Sequence, residues 1–398
     1  MSERRIGMPR KGTLVMVGVL GAIIISLAVG QQRLSADLAT QAVQAPAFEV
    51  DPFWPKPLPN GWLLGSTIGI GVDSRDHVFL IHRGLSTLNA RTEGGYPLTS
   101  ACCTAAPPVL EFDPEGNLVN SWGGPGEGYT WPSSNHGIAI DDLDNVWIGG
   151  NGDSDSHILK FTHAGKFMQQ IGVPGREPNS RSMDAFGRVA KISFDVKNQE
   201  AYVSDGYGNK RVAVLDMKTG AIKRYWGAYG GVPSDSNLGP YKPEAPLARQ
   251  FRNPVHCAEP SNDGLVYVCD RPNDRIQVFR ANGTFVKEVR IAPNTLGDGS
   301  VWDIAFSRDA AQRFMYLADG RNERVYVMDR NSLEILTMFG DGGRQPGQFF
   351  AVHSIATDSK GNLFTTETYE GKRVQRFAYK GLRPIAKQDQ GTPWPGRQ

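Results

Sequence analysis

Seven histidines occur in this 398-residue chain, and three of them keep the same place in a recurring pattern. Asp73, Asp141, Asp195, Ser261, Ser307 and Asp358 each end an apolar stretch and open a polar turn. Counting back five residues from each gives Ile68, His136, Ala190, His256, Trp302 and His353. Imidazole therefore falls in the second, fourth and sixth copies. Three imidazoles brought to one axis from alternate copies form the donor set of a three-histidine Zn²⁺ site, with a fourth position open to water or substrate. The competing role is that of ordinary polar residues lining a wet channel. Three of seven histidines in one register weighs against it. The other four, His77, His82, His157 and His163, fall in turns or outer strands and read as structural or solvated.

A second set follows from strand geometry. If the first strand of each copy lines a channel, the second runs back antiparallel, and residues just past it return to the mouth where the first began. Arg83, Gly206-Tyr207 and Arg271 occupy such places. Two guanidiniums beside a metal suit a carboxylate-bearing ligand, because arginine binds carboxylate bidentately. A tyrosine beside metal and arginines is a candidate general base. The competing role for each arginine is a salt bridge to a turn aspartate such as Asp205 or Asp270.

The elements that must position these residues are short strands. Each copy spans about 57 residues and reads as four strands with turn signals between them, as in a propeller blade. Six copies predict an all-β, six-bladed β-propeller. The first copy carries an insertion from about 84 to 107, and residues 47–58 are the candidate for the strand that closes the last blade. No stretch of the repeat region reads as an amphipathic helix. The predicted layout is a propeller over 47–380, flanked by a linker at 31–46 and a tail at 381–398.

Arg4, Arg5, Arg10 and Lys11 precede an apolar run from Thr13 to Gly30. That is the pattern of a signal peptide, with an uncleaved signal anchor as the alternative. Either predicts a periplasmic or secreted propeller, in contact with a membrane only through residues 1–30. The charge balance, 43 basic against 41 acidic residues, argues against a nucleic-acid partner. The expected ligand is a small molecule or peptide with a carboxylate, and the expected state is a monomer. Export permits disulfides. Cys257 and Cys269 flank the turn Ser261–Gly264, so a hairpin there predicts a bridge. Cys102 and Cys103 are adjacent, and a vicinal bridge, two free thiols and a soft-metal site are the alternatives.

These residues resemble the peptidylglycine α-hydroxyglycine α-amidating lyase family, over about residues 60 to 378. The segments NHGIAID, NPVHCAEP and AVHSIATD carry His136, His256 and His353; YVSDGYGNKR carries Tyr207; FLIHRG and VCDRPNDRIQVF carry Arg83 and Arg271. The resemblance implies a six-bladed NHL-repeat propeller, a three-histidine zinc, a catalytic tyrosine and two substrate-binding arginines. It also implies a structural Ca²⁺. The family has Asp directly after its third histidine and Met two residues before it, where this chain has Ser354 and Ala351. Carbonyls near Ile70 and Ile138 then lack an acidic partner for the calcium.

Three functions are expected, in order. The first is a zinc-dependent lyase that cleaves the C–N bond of a carbinolamide, releasing an amide and glyoxylate or a similar aldehyde. The second is a metal-dependent hydrolase of lactones or esters. The third is a non-catalytic propeller that binds a ligand or protein partner.

Overall fold

The computed structural model describes residues 43–94 and 100–385. The predicted signal segment, most of the linker and most of the tail lie outside the described residues. Six four-stranded antiparallel sheets stand around one axis. Blade 1 comprises Thr67–Val72, Val78–His82, Val109–Phe112 and Leu118–Trp122; blade 2 comprises Asn135–Ile140, Val146–Gly150, His157–Phe161 and Phe167–Gly172. Blade 3 comprises Val189–Asp195, Glu200–Asp205, Arg211–Asp216 and Ile222–Trp226; blade 4 comprises Val255–Pro260, Leu265–Asp270, Arg275–Arg280 and Phe285–Arg290. Blade 5 comprises Asp303–Phe306, Phe314–Asp319, Arg324–Asp329 and Ile335–Phe339. Blade 6 takes Val352–Thr357, Leu363–Glu367 and Arg373–Ile385 from the end of the chain, and its outer strand, Val43–Asp51, from the beginning. The protein is the all-β six-bladed propeller that the repeat predicts. The closing strand starts at Val43 and not at residue 47, and the strand it pairs with runs to Ile385, past the expected boundary at 380.

The aspartates that mark the repeat have a local cause. Asp73 Oδ1 accepts from the backbone N–H of Arg75 and His77, Asp141 Oδ1 from Leu143 and Asn145, and Asp358 Oδ1 from Lys360 and Asn362. One carboxylate oxygen thus closes the turn between the first two strands. The core is divided among the seams. Six apolar clusters each join two neighbouring blades, such as Phe79, Ile81 and Val109 of blade 1 with Ile138, Val146 and Ile148 of blade 2. A buried Phe or Ile contributes about 1.5–3 kcal/mol, so each seam stabilises both of its blades.

Cys257 and Cys269 lie opposite each other in the sheet, Cα atoms 4.8 Å apart, and are bridged as expected. Cys102 and Cys103 are bridged as well, and are not free thiols. They sit in the blade 1 insertion, where Trp62–Leu63 pairs with Thr104–Ala105. Lys372 of blade 6 holds the insertion through Glu93, at 2.6 Å.

Candidate metal centre

The three histidines meet on the axis. Ring centroids are 5.3 Å apart for His136 and His256, and 4.8 Å for His353 with either. One ligand nitrogen from each lies within 4.8 Å of the others, and all three side chains are buried. Each histidine interrupts its strand's pairing. The register shifts between Asn135 and Ile138, between Val255 and Cys257, and between Val352 and Ile355. Such a bulge turns a side chain out of the alternation and toward the channel.

The blades without histidine supply the other half of the centre. His136 Nδ1 lies 2.7 Å from the Ala190 carbonyl, His256 Nδ1 2.5 Å from that of Trp302, and His353 Nδ1 2.6 Å from that of Ile68. Ala190, Trp302 and Ile68 are the register equivalents of the histidines in blades 3, 5 and 1. A carbonyl can only accept, so each Nδ1 donates and each neutral ring keeps its lone pair on Nε2. Glycine permits the close approach. A Cβ on Gly137 would lie 2.7 Å from the Ala190 oxygen, and one on Gly69 2.8 Å from the His136 oxygen. Burial, then the charges around them, holds His136 and His256 well below the ordinary imidazole range. His353 is pushed down to about 3 by burial and by Arg271 and Arg83.

Three lone pairs therefore converge with little to satisfy them. Tyr207 Oη lies 2.9 Å from His136 Nε2 and 3.1 Å from His256 Nε2, but it has one proton to give. No donor reaches His353 Nε2 among the described residues. Buried polar atoms are seldom left in this state, and a set of neutral imidazole acceptors fits a borderline-soft divalent cation such as Zn²⁺.

The second set of sequence-predicted residues reaches the same mouth. Arg271 Nη1 lies 3.5 Å from Tyr207 Oη, and its guanidinium stacks 4.6 Å from the Trp302 ring centroid. Among the described residues its Nε has no partner, and its one carboxylate contact, Asp298, is long at 3.4 Å. Arg83 bonds the Asn135 carbonyl at 3.3 Å and Asn151 Oδ1 at 2.8 Å, both neutral. The turn aspartates offered as competing partners are engaged elsewhere: Asp205 pairs with Arg211 and Asp270 with Arg275, at 2.8 and 2.7 Å. Two guanidiniums are thus left with donors to spare beside the histidines.

Asn151 and Tyr369 were missed from sequence. Both follow the second strand of a blade, in blades 2 and 6, as Arg83, Tyr207 and Arg271 do in theirs. Asn151 orients Arg83. The Tyr369 hydroxyl is raised by burial and is close enough to feel Asp298, Arg271, Tyr207 and Arg83. Their shared place in the repeat was the signal.

Ser354, where the resemblance expects Asp, donates its Oγ to the Ile68 carbonyl at 2.8 Å. Farther along the channel, Lys191 Nζ sits 2.6 Å from Asp303 and 2.7 Å from Glu259.

No protein-family model matches the chain. NHL repeat-containing protein 3 from Mus musculus is 23% identical over 303 residues, covering 74% of this chain and 71% of that protein. The Homo sapiens protein of the same name is 24% identical over 297 residues, covering 73% and 69%. Peptidyl-glycine alpha-amidating monooxygenase A from Xenopus laevis is 30% identical over 158 residues, 39% of this chain but 15% of that protein. Among solved structures, a streptogramin B lyase superposes with a TM-score of 0.50 at 12% identity, covering 84% of this chain and 98% of that one. That likeness speaks to fold alone. The repeat and the architecture are those of NHL-repeat β-propellers.

Proposed function

We propose that the protein is an exported, monomeric zinc-dependent carbon–nitrogen lyase acting on a small or peptidyl carbinolamide that carries a carboxylate. The observation that carries this reading is the convergence of three Nε2 lone pairs beside one tyrosine and two under-used guanidiniums. His136, His256 and His353 would hold the zinc, which when bound supplies Lewis-acid polarisation of the substrate oxygen. Arg271 and Arg83 receive the carboxylate, their free donors replacing its hydration. Trp302 fixes the plane of Arg271 by stacking. Tyr207 is the general base that takes the hydroxyl proton of the carbinol carbon. The C–O bond becomes a carbonyl, the C–N bond breaks, and its electron pair leaves on nitrogen, which takes the proton back. The products are an amide and glyoxylate or a related aldehyde, with no net oxidation. The partial similarity to the amidating monooxygenase supports this reaction class, and the two disulfides support export. The test is glyoxylate release from an α-hydroxyglycine derivative by the zinc-loaded protein. Hydrolysis of a lactone or ester without glyoxylate release would favour hydrolase chemistry. Absence of both activities, with less than about a tenth of an equivalent of zinc retained under conditions where a site with Zn–N bonds would fill, would leave a binding scaffold.

A further inference from the structure

A second group of metal-type ligands lies away from the axis, on the face of the propeller opposite the histidine centre. Asp73 Oδ2, Glu111 Oε1 and His163 Nε2 lie within 4.8 Å of one another. Asp73 comes from the turn that ends the first strand of blade 1, Glu111 from its third strand, and His163 from the turn after the third strand of blade 2. The group therefore bridges the seam. His163 Nε2 is 2.9 Å from Asp73 Oδ2 and 3.4 Å from Glu111 Oε1. His77 Nδ1 lies 2.7 Å from the same Glu111 oxygen and fixes it, as a ligand's supporting partner does. The Phe79 ring packs edge-on to His163 at 5.1 Å.

Comparison with the next blade shows what is unusual here. Six residues after Asp73, Asp141 and Asp358 stand Phe79, Trp147 and Phe364, and opposite these in the third strand stand Glu111, Lys160 and Arg376. In blade 2 the pairing is ionic: Lys160 Nζ is 3.0 Å from Asp141 Oδ2. Blade 1 has reversed the charge. Two carboxylates, with side chains 0% and 3% exposed, now face each other. Such a pair is costly without a cation between them.

The cation that occupies this place is held loosely. Arg75 Nη2 is 3.1 Å from Asp73 Oδ2, 3.5 Å from Glu111 Oε1 and 2.5 Å from His163 Nε2, so a single nitrogen touches all three donor atoms. Its side chain is 54% exposed. His163 Nε2 cannot both donate to Asp73 and accept from Arg75, so one of these contacts is always unmet. A divalent ion at the Nη2 position would take the imidazole lone pair and both carboxylate oxygens together.

We infer that Asp73, Glu111 and His163 form a second divalent-cation site, a clasp between blades 1 and 2 that takes a first-row transition ion in exchange for the Arg75 side chain. The mixed carboxylate and imidazole set selects Zn²⁺ or Mn²⁺ over calcium. The proposal is independent of the axial centre.

Zn²⁺ is the probe, read as stoichiometry and affinity on the purified chain. His256→Ala, which cripples the axial centre, is expected to keep one equivalent. His163→Ala is expected to lose one equivalent and keep the axial one. Arg75→Ala removes the competing cation and is expected to bind the second zinc at least about tenfold tighter. Glu111→Lys restores the ionic pattern of blade 2, so it is expected to fold with undiminished stability and to lose the second zinc. A wild-type chain that binds one equivalent, together with Arg75→Ala gaining none, would overturn the site and leave an ion-pair cluster. An Arg75→Ala gain that survives in Arg75→Ala/Glu111→Lys would also overturn it.

Discussion

Two buried polar groups share the central channel and have opposite characters. At one level, Lys191 sits between Asp303 and Glu259, and Glu259 also accepts from Ser193 Oγ at 2.6 Å. Donors meet acceptors and opposite charges touch. Burial alone would lower the Lys191 ammonium, but the two carboxylates outweigh it and the group is raised. At the other level, three imidazoles present acceptors to one another around one phenol. The first group completes itself, and the second is complete only with a cation. Burial and clustering look alike in both, so neither distinguishes a site from a strut. The balance of donors and acceptors does.

The comparison breaks most visibly at Tyr207. Tyr207→Phe should lower turnover on an α-hydroxyglycine substrate by about 10²–10⁴-fold while zinc content, measured by elemental analysis, stays at the wild-type level. Unchanged turnover would take the tyrosine out of the chemistry. Next in size is the strut. Lys191→Met leaves two carboxylates facing each other in the channel and should lower unfolding free energy by about 3–5 kcal/mol in urea titrations, with axial zinc retained. A loss under 1 kcal/mol would mean that the network is not self-supporting. Arg271→Ala should raise KM for the carboxylate substrate by roughly 10–100-fold, the loss of a charged hydrogen-bond donor pair; an uncharged amide analogue should bind both forms alike.

The last effect concerns a buried carboxylate without an ion pair among the described residues. Asp274 Oδ1 accepts from Ser300, Oδ2 has no partner among the described residues, and burial pushes the carboxyl up to about 7. A carboxyl raised in the folded state binds its proton more tightly when folded. Its contribution to stability is therefore present at acid pH and is lost as pH rises from about 4 to 7. Asp274→Asn should flatten the pH dependence of unfolding over that window by up to about 4 kcal/mol, at about 1.4 kcal/mol per pH unit. A wild-type chain whose stability rises steadily from pH 4 to 7, unchanged by the substitution, would contradict the assignment.

The histidine centre was legible because one rule, five residues before the aspartate or serine that opens the first turn, repeats in every blade, and a closed ring converts equal registers into equal heights. The acceptors of the Nδ1 protons were not legible, because they are backbone carbonyls of Ile68, Ala190 and Trp302, and a carbonyl has no letter in a sequence. Tyr369 and Asn151 stood in the right register but in dissimilar residue types. The seam cluster was hidden for another reason. His163 reads as a solvated turn residue until blade 2 is set against blade 1, a contact that spans 90 positions between Asp73 and His163. The closing strand was placed in the right segment, but its start at Val43 follows from pairing with the extended strand Arg373–Ile385, which residue types do not announce.

That pairing has a mechanical consequence. Val43 lies directly opposite Ile385, and Asp51 opposite Arg376, so the two ends of the described chain leave blade 6 side by side. A pull applied between them loads the backbone bonds of this strand pair one after another, like a zip, and not all together in shear. Traction on residue 43 would open blade 6 first, and residues Val352–Thr357, which carry His353 to the axis, belong to that blade.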